Sequence, residues 1–147
     1  MTRDDLIKVV ESALTVLSSV YRESAAKSDL YEAALMTVAV GATQAAGGMC
    51  LLTDDGRNPS QELTFRRSPG NLWLGQFSHV RASFVNPGRA LEIHLGVYVM
   101  SGSRVQHECD VAILDSVEAE RSRQGRIHPR HSKLITSIEA KCYGASP

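Results

Sequence analysis

ALEIHLGVYVMSGSRVQHECDVAILD, residues 90–115, is the stretch on which the fold turns. Side chains of a strand alternate between two faces. In the first half Leu91, Ile93, Leu95, Val97 and Val99 fall on one side, and in the second half Val105, Cys109, Val111 and Ile113 do, with His107 the only polar interruption. Ser101-Gly102-Ser103 supplies turn residues between them, so the pattern predicts an antiparallel hairpin of strands 90–100 and 104–115. The aliphatic face is core. The other face carries Glu92, His94 and Tyr98 on the first strand and Gln106, Glu108 and Asp110 on the second, a polar cluster that needs water or a ligand. With residues 101–103 as the loop, Met100 faces Arg104, and counting back sets Gly96 opposite Glu108 and His94 opposite Asp110.

Working outward, residues 116–133 are rich in Arg and His with no sustained apolar face, and read as a surface loop with at most one helical turn. Residues 134–143 return to strand character, with Ile138, Ala140 and Cys142 on one side and Ser137, Glu139, Lys141 and Tyr143 on the other. Upstream, LTDDGRNPS at 52–60 is a cluster of turn formers. Short strands are expected at 62–67 and 71–74, while 79–89 is ambiguous. Two helices precede them. Residues 2–23 show apolar spacing of three and four with Thr2 as N-cap, and residues 29–46 open on Asp29 and Glu32 at capping-box spacing and stop at Gly47-Gly48.

At 147 residues, 43% hydrophobic and 22% charged, the chain is sized for one soluble domain over 1–147, with 1–28 as an N-terminal helical extension. Sixteen basic and sixteen acidic residues cancel, so no global field draws it to nucleic acid or a membrane. Its apolar runs are shorter than a membrane span and its acidic start, MTRDD, is unlike a signal peptide, so a cytoplasmic location is expected. Cys50, Cys109 and Cys142 have no CxxC spacing, and His94, His107, His128 and His131 are scattered, so no shared zinc site is expected.

Glu139 and Lys141 point the same way from one strand. A carboxylate there can bind a hard divalent cation while the ammonium orients a water, and Asp110 from another strand adds a second oxygen donor. The bland alternative is a solvated salt bridge. HECDVAILD followed by ITSIEAKCY resembles the catalytic signature of the PD-(D/E)xK nucleases, the restriction-endonuclease-like family: Asp110 matches its aspartate and Glu139-Ala140-Lys141 its (D/E)xK, with Cys109 where the family often carries proline. The resemblance implies an α/β (α+β) domain with a mixed central sheet and N-terminal helices, in which Asp110 and Glu139 hold Mg²⁺ or Mn²⁺ and Lys141 acts on the attacking water as DNA is hydrolysed. It also implies that Glu32, on the preceding helix, assists the metal site; its bland role is a helix cap. His94 is placed to assist from the hairpin. Family members continue past the lysine strand with a helix and a strand, so a longer parent chain or another subunit of a homo-oligomer is expected to complete the fold.

Arg121, Arg123, Arg126, Arg130 and Lys133, with His128 and His131 among them, are candidates for contacting DNA phosphates, against the alternative of ordinary solvated charge. Arg66 and Arg67 near Trp73 form a second patch. Two other readings stay open: a catalytically inactive domain of the same fold that binds nucleic acid or protein, and an unrelated α+β interaction module.

Overall fold

Helix α1 (Lys27–Ala45) leads into β1 (Met49–Thr53), β2 (His79–Phe84), β3 (Arg89–Met100), β4 (Gln106–Asp115), α2 (Ser116–Gly125), a single 3-10 turn (His131–Lys133) and β5 (Leu134–Ile138) in the computed structural model. Residues 2, 4, 27–60, 64, 66 and 68–141 are described; side-chain burial is described from residue 31 within α1. The helix expected over 2–23 lies almost wholly outside them.

The five strands form one sheet in the order β1-β2-β3-β4-β5, and each neighbouring pair is antiparallel. The fold class is therefore α+β, with an antiparallel sheet in place of the mixed one expected. Parallel pairing is confined to two isolated bridges, Gly70↔Val97 and Met100↔Arg130. The physical reason is local: the turns at Val85–Gly88 and Ser101–Val105 return the chain directly beside itself.

Alternation positions the core of β3 and β4 before Gly96 as the sequence predicts, whereas Val105, expected on the same aliphatic face, is 52% exposed. Val80, Ile93, Leu95 and Val111 pack under Met36 and Ala39 of α1, with Cys50, Leu52, Ile113 and Ile138 around them. Ala112 and Leu114, which alternate with Val111 and Ile113, meet Ala119 of α2. The sheet thus lies between two helices. Gly96, at φ 56°, falls between the pairs Leu95↔Val111 and Val97↔Cys109. Glycine takes that conformation without the Cβ penalty. Beyond this break Val97, Val99 and Cys109 leave the α1 cluster and join Ala112, Leu114, Ala119 and Leu72, so the hairpin tip turns toward the α2 side.

Three expectations change. The β3–β4 register pairs Met100 with Gln106, Tyr98 with Glu108 and His94 with Ala112, two residues away from the predicted one. The loop is longer than three residues, closing through Ser101 N–H to Val105 O with Arg104 at φ 63°. An even slip leaves both faces intact. Residues 71–74 form a turn rather than a strand, with Leu74 N–H donating to Asn71 O at 3.1 Å. Thr64 and Arg66, inside the strand expected at 62–67, have no regular structure.

The supposed loop at 116–133 contains a ten-residue helix. Asp115 caps it by accepting from Val117 N–H at 3.0 Å, and Arg126 ends it in the left-handed conformation. Its inward face is polar: Glu118 and Ser122 are buried beside Ala119. Strand β1, unassigned in the sequence reading, begins directly after the Gly47-Gly48 stop.

Candidate functional site

Strand β5 pairs with β4 through Val111↔Ile138, Ala112↔Ser137 and Ile113↔Thr136. The strand expected to run from 134 to 143 ends at Ile138, so Glu139 and Lys141 stand just beyond the pairing and not on a strand face. The chain is held there by a short bond in which Ala140 N–H donates to Asp110 Oδ2 at 2.6 Å. The same bond brings Glu139 near Asp110, and both charges act on Cys109. Asp110 is half-buried, whereas Glu139 and Lys141 are exposed and pair with each other, Nζ to Oε2 3.1 Å. Burial first, then the charges of Asp110, Glu139 and Glu108, push the Cys109 thiol up from its ordinary range, an effect of three carboxylates gathered at this end of β4. Carboxylate oxygens in a field of that sign suit Mg²⁺ or Mn²⁺. The donor set fits. An exposed pair such as Glu139–Lys141 is weak enough for an ion to displace it.

His94 is elsewhere engaged. Its Nε2 lies 2.8 Å from Glu92 Oε2, and its ring stacks on His79 with centroids 4.6 Å apart. Glu92 is buried and also accepts two parallel bonds from Arg123, Nη2 to Oε1 at 2.7 Å and Nη1 to Oε2 at 2.8 Å. Burial favours the protonated acid, but the Arg123 and His94 contacts outweigh it and hold the carboxyl well below its usual range. Burial and the adjacent His94 push His79 down to about 4. Sequence reasoning missed this cluster, since it grouped neither His79 with His94 nor Glu92 with Arg123; the available signal was Glu92 and His94 on one strand face.

The basic residues separate into two kinds. Arg121 donates to Glu118 at 2.6 and 3.0 Å, and Arg130 approaches the same carboxylate with its guanidinium at 2.6 Å and its backbone N–H at 2.8 Å. Arg123 is committed to Glu92. Arg126 and Lys133 are exposed and, among the described residues, have no carboxylate within ion-pair distance. Arg66 lies over the Phe77 ring at 4.4 Å; Arg67 is outside the described residues. Glu32 is half-buried on α1. Among the described residues, the group of three potential metal ligands with donor atoms within 4.8 Å is His79, Glu92 and His94, and it includes none of Glu32, Asp110 and Glu139. No described helix is long and apolar enough to cross a membrane. No protein-family model, curated protein or solved structure matches this chain.

Proposed function

We propose that the chain is a metal-dependent phosphodiesterase of the PD-(D/E)xK type that hydrolyses DNA, with Asp110, Glu139 and Lys141 as its working residues. The observation that carries this reading is the bond from Ala140 N–H to Asp110 Oδ2, which fastens the Glu139-Ala140-Lys141 segment against the aspartate. Glu139 and Lys141, on either side of Ala140, are thereby kept beside Asp110. Asp110 and Glu139 are the residues that hold Mg²⁺ or Mn²⁺, and the ion supplies Lewis-acid stabilisation of charge on the phosphate. Lys141 would orient the attacking water and hold its hydrogen bonds in line with the phosphorus. Arg126 and Lys133 are the uncommitted cations for backbone contacts; Arg121, Arg123 and Arg130 already neutralise Glu118 and Glu92.

The test is cleavage of duplex and single-stranded DNA with Mg²⁺ or Mn²⁺, against an EDTA control. Asp110→Asn, which keeps an oxygen acceptor for Ala140 N–H, is expected to abolish cleavage with the fold intact. Lys141→Ala is expected to bind the ion and DNA yet cleave at least ~100-fold more slowly. One observation favours the second reading, an inactive domain of this fold that binds a partner: the Glu139–Lys141 pair satisfies both charges without any ion. Absence of metal-dependent cleavage on DNA, or cleavage unchanged in Asp110→Asn, decides for it.

A further inference from the structure

A different set of residues carries a second site. His79 Nδ1 lies 3.3 Å from the carbonyl oxygen of Phe77. A carbonyl only accepts, so Nδ1 carries the proton and Nε2 presents its lone pair. That nitrogen is buried, has no hydrogen-bond partner, and faces Glu92 Oε2 at 3.8 Å. The oxygen is also an acceptor. Glu92 Oε2 already has Arg123 and His94 as partners, but His79 Nε2 has none: a cation between the two atoms satisfies it, and the separation is too long for a shared proton. A cation at about 2.0–2.2 Å from each atom spans it.

We propose that His79 Nε2, Glu92 Oε2 and His94 Nε2 bind a divalent ion of the zinc class, fastening β2 to β3 beneath α2. All three residues are buried and their donor atoms are mutually within 4.8 Å. Two imidazoles and one carboxylate make a borderline donor set that suits zinc better than magnesium. For the ion to enter, His94 Nε2 must present its lone pair, so a neutral ring shifts its proton from Nε2 to Nδ1 and binds as the other tautomer. The His94–Glu92 contact, 2.8 Å without the ion, then opens to about 3.4 Å, as tetrahedral ligands at ordinary bond lengths require. Arg123 donates to both Glu92 oxygens without the ion; with the ion on Oε2 it keeps its bond to Oε1 and orients the carboxylate from the outside, the part an outer-shell partner plays. Asp54 and Asp55 border the same cavity of about 400 Å³ as His79 and Arg123, and their charge offsets the added cation. Three protein donors leave a fourth position for water.

The experiment is calorimetric titration of the EDTA-treated, dialysed full chain with zinc chloride. The expected result is one tightly bound ion per chain and a rise in the unfolding temperature. His79→Phe, which keeps a ring stacked on His94 but deletes the donor nitrogen, weakens binding by more than about 100-fold, beyond the loss typical of an outer-shell partner. His94→Phe does the same and serves if His79→Phe fails to fold by circular dichroism. Asp110→Asn retains the zinc site, so its loss of DNA cleavage and a loss of zinc binding report on different proposals. Failure of the wild-type chain to bind zinc, or equal affinity in a folded His79→Phe or His94→Phe variant, overturns the inference.

Discussion

Glu118 shows how one buried charge can substitute for apolar packing. Its side chain is 2% exposed, yet it accepts from the Arg121 and Arg130 guanidinium groups and from Arg130 N–H. Burial raises its pKa, but those hydrogen bonds lower it more, to about 2 from the ordinary 4.5. A carboxyl with a depressed folded value stabilises the native state fully above the unfolded value and progressively less as pH falls toward the folded one. The window here runs from pH 4.5 down to about 2. Because both arginine side chains are partly in water, Glu118→Gln is expected to cost about 2–3 kcal/mol at neutral pH. Urea unfolding at pH 7 and pH 3 checks it: the wild type should lose stability between the two by more than the variant does. Equal losses would mean that other carboxylates dominate acid sensitivity.

Elements differ in how plainly their residues announce them. The faces of β3 and β4 were legible because Leu91, Ile93, Leu95, Val111 and Ile113 alternate with polar neighbours, and α1 because of its stop at Gly47-Gly48. The register was not, since parity is unchanged by a two-residue slip and the left-handed Arg104 that lengthens the turn leaves no compositional mark. Helix α2 was hidden because its inward face is Glu118, Ala119 and Ser122, and the first is made tolerable by Arg121 one turn along the same helix and by Arg130 beyond it. What did mark it is Asp115 at the N-cap. Asp115→Ala is expected to cost about 1 kcal/mol, with Asp115→Asn recovering most of that because asparagine also caps. Chemical denaturation of both variants tests it; an alanine variant as stable as the wild type would show that the Val117 bond contributes nothing.

For the whole molecule, stability concentrates where the sheet is covered on both sides. Ile93 is fully buried in the central strand, while Ile135 on the outer strand β5 is 45% exposed. Ile93→Ala should therefore cost about 3–4 kcal/mol, through lost transfer energy and the cavity left, whereas Ile135→Ala should stay within about 0.5 kcal/mol. Comparable effects at both positions would indicate that β5 is covered in solution. Pairings that join distant segments were the least legible in the sequence: Glu92 meets Arg123 across 31 positions, and His79 meets His94 through strand pairing. No local pattern encodes either. Asp110 meets the Glu139-Ala140-Lys141 segment through the Ala140 N–H bond past the end of β5, a contact that alternation along a strand assumed to reach 143 did not foretell.

The break in β3 makes a mechanical point. Gly96 is the one left-handed residue within β3, and Asp110 stands across from it at the place where the hairpin changes course. The tip beyond, through Tyr98 and Met100 to Gln106 and Glu108, is a lever arm whose pivot coincides with the carboxylate. Its far end is moored to the segment after α2 by Met100 N–H to Pro129 O at 2.8 Å. Met100 stands ten residues before Asp110 and Pro129 nineteen after it, so a contact remote along the chain anchors the part of the hairpin whose bend lies opposite the aspartate.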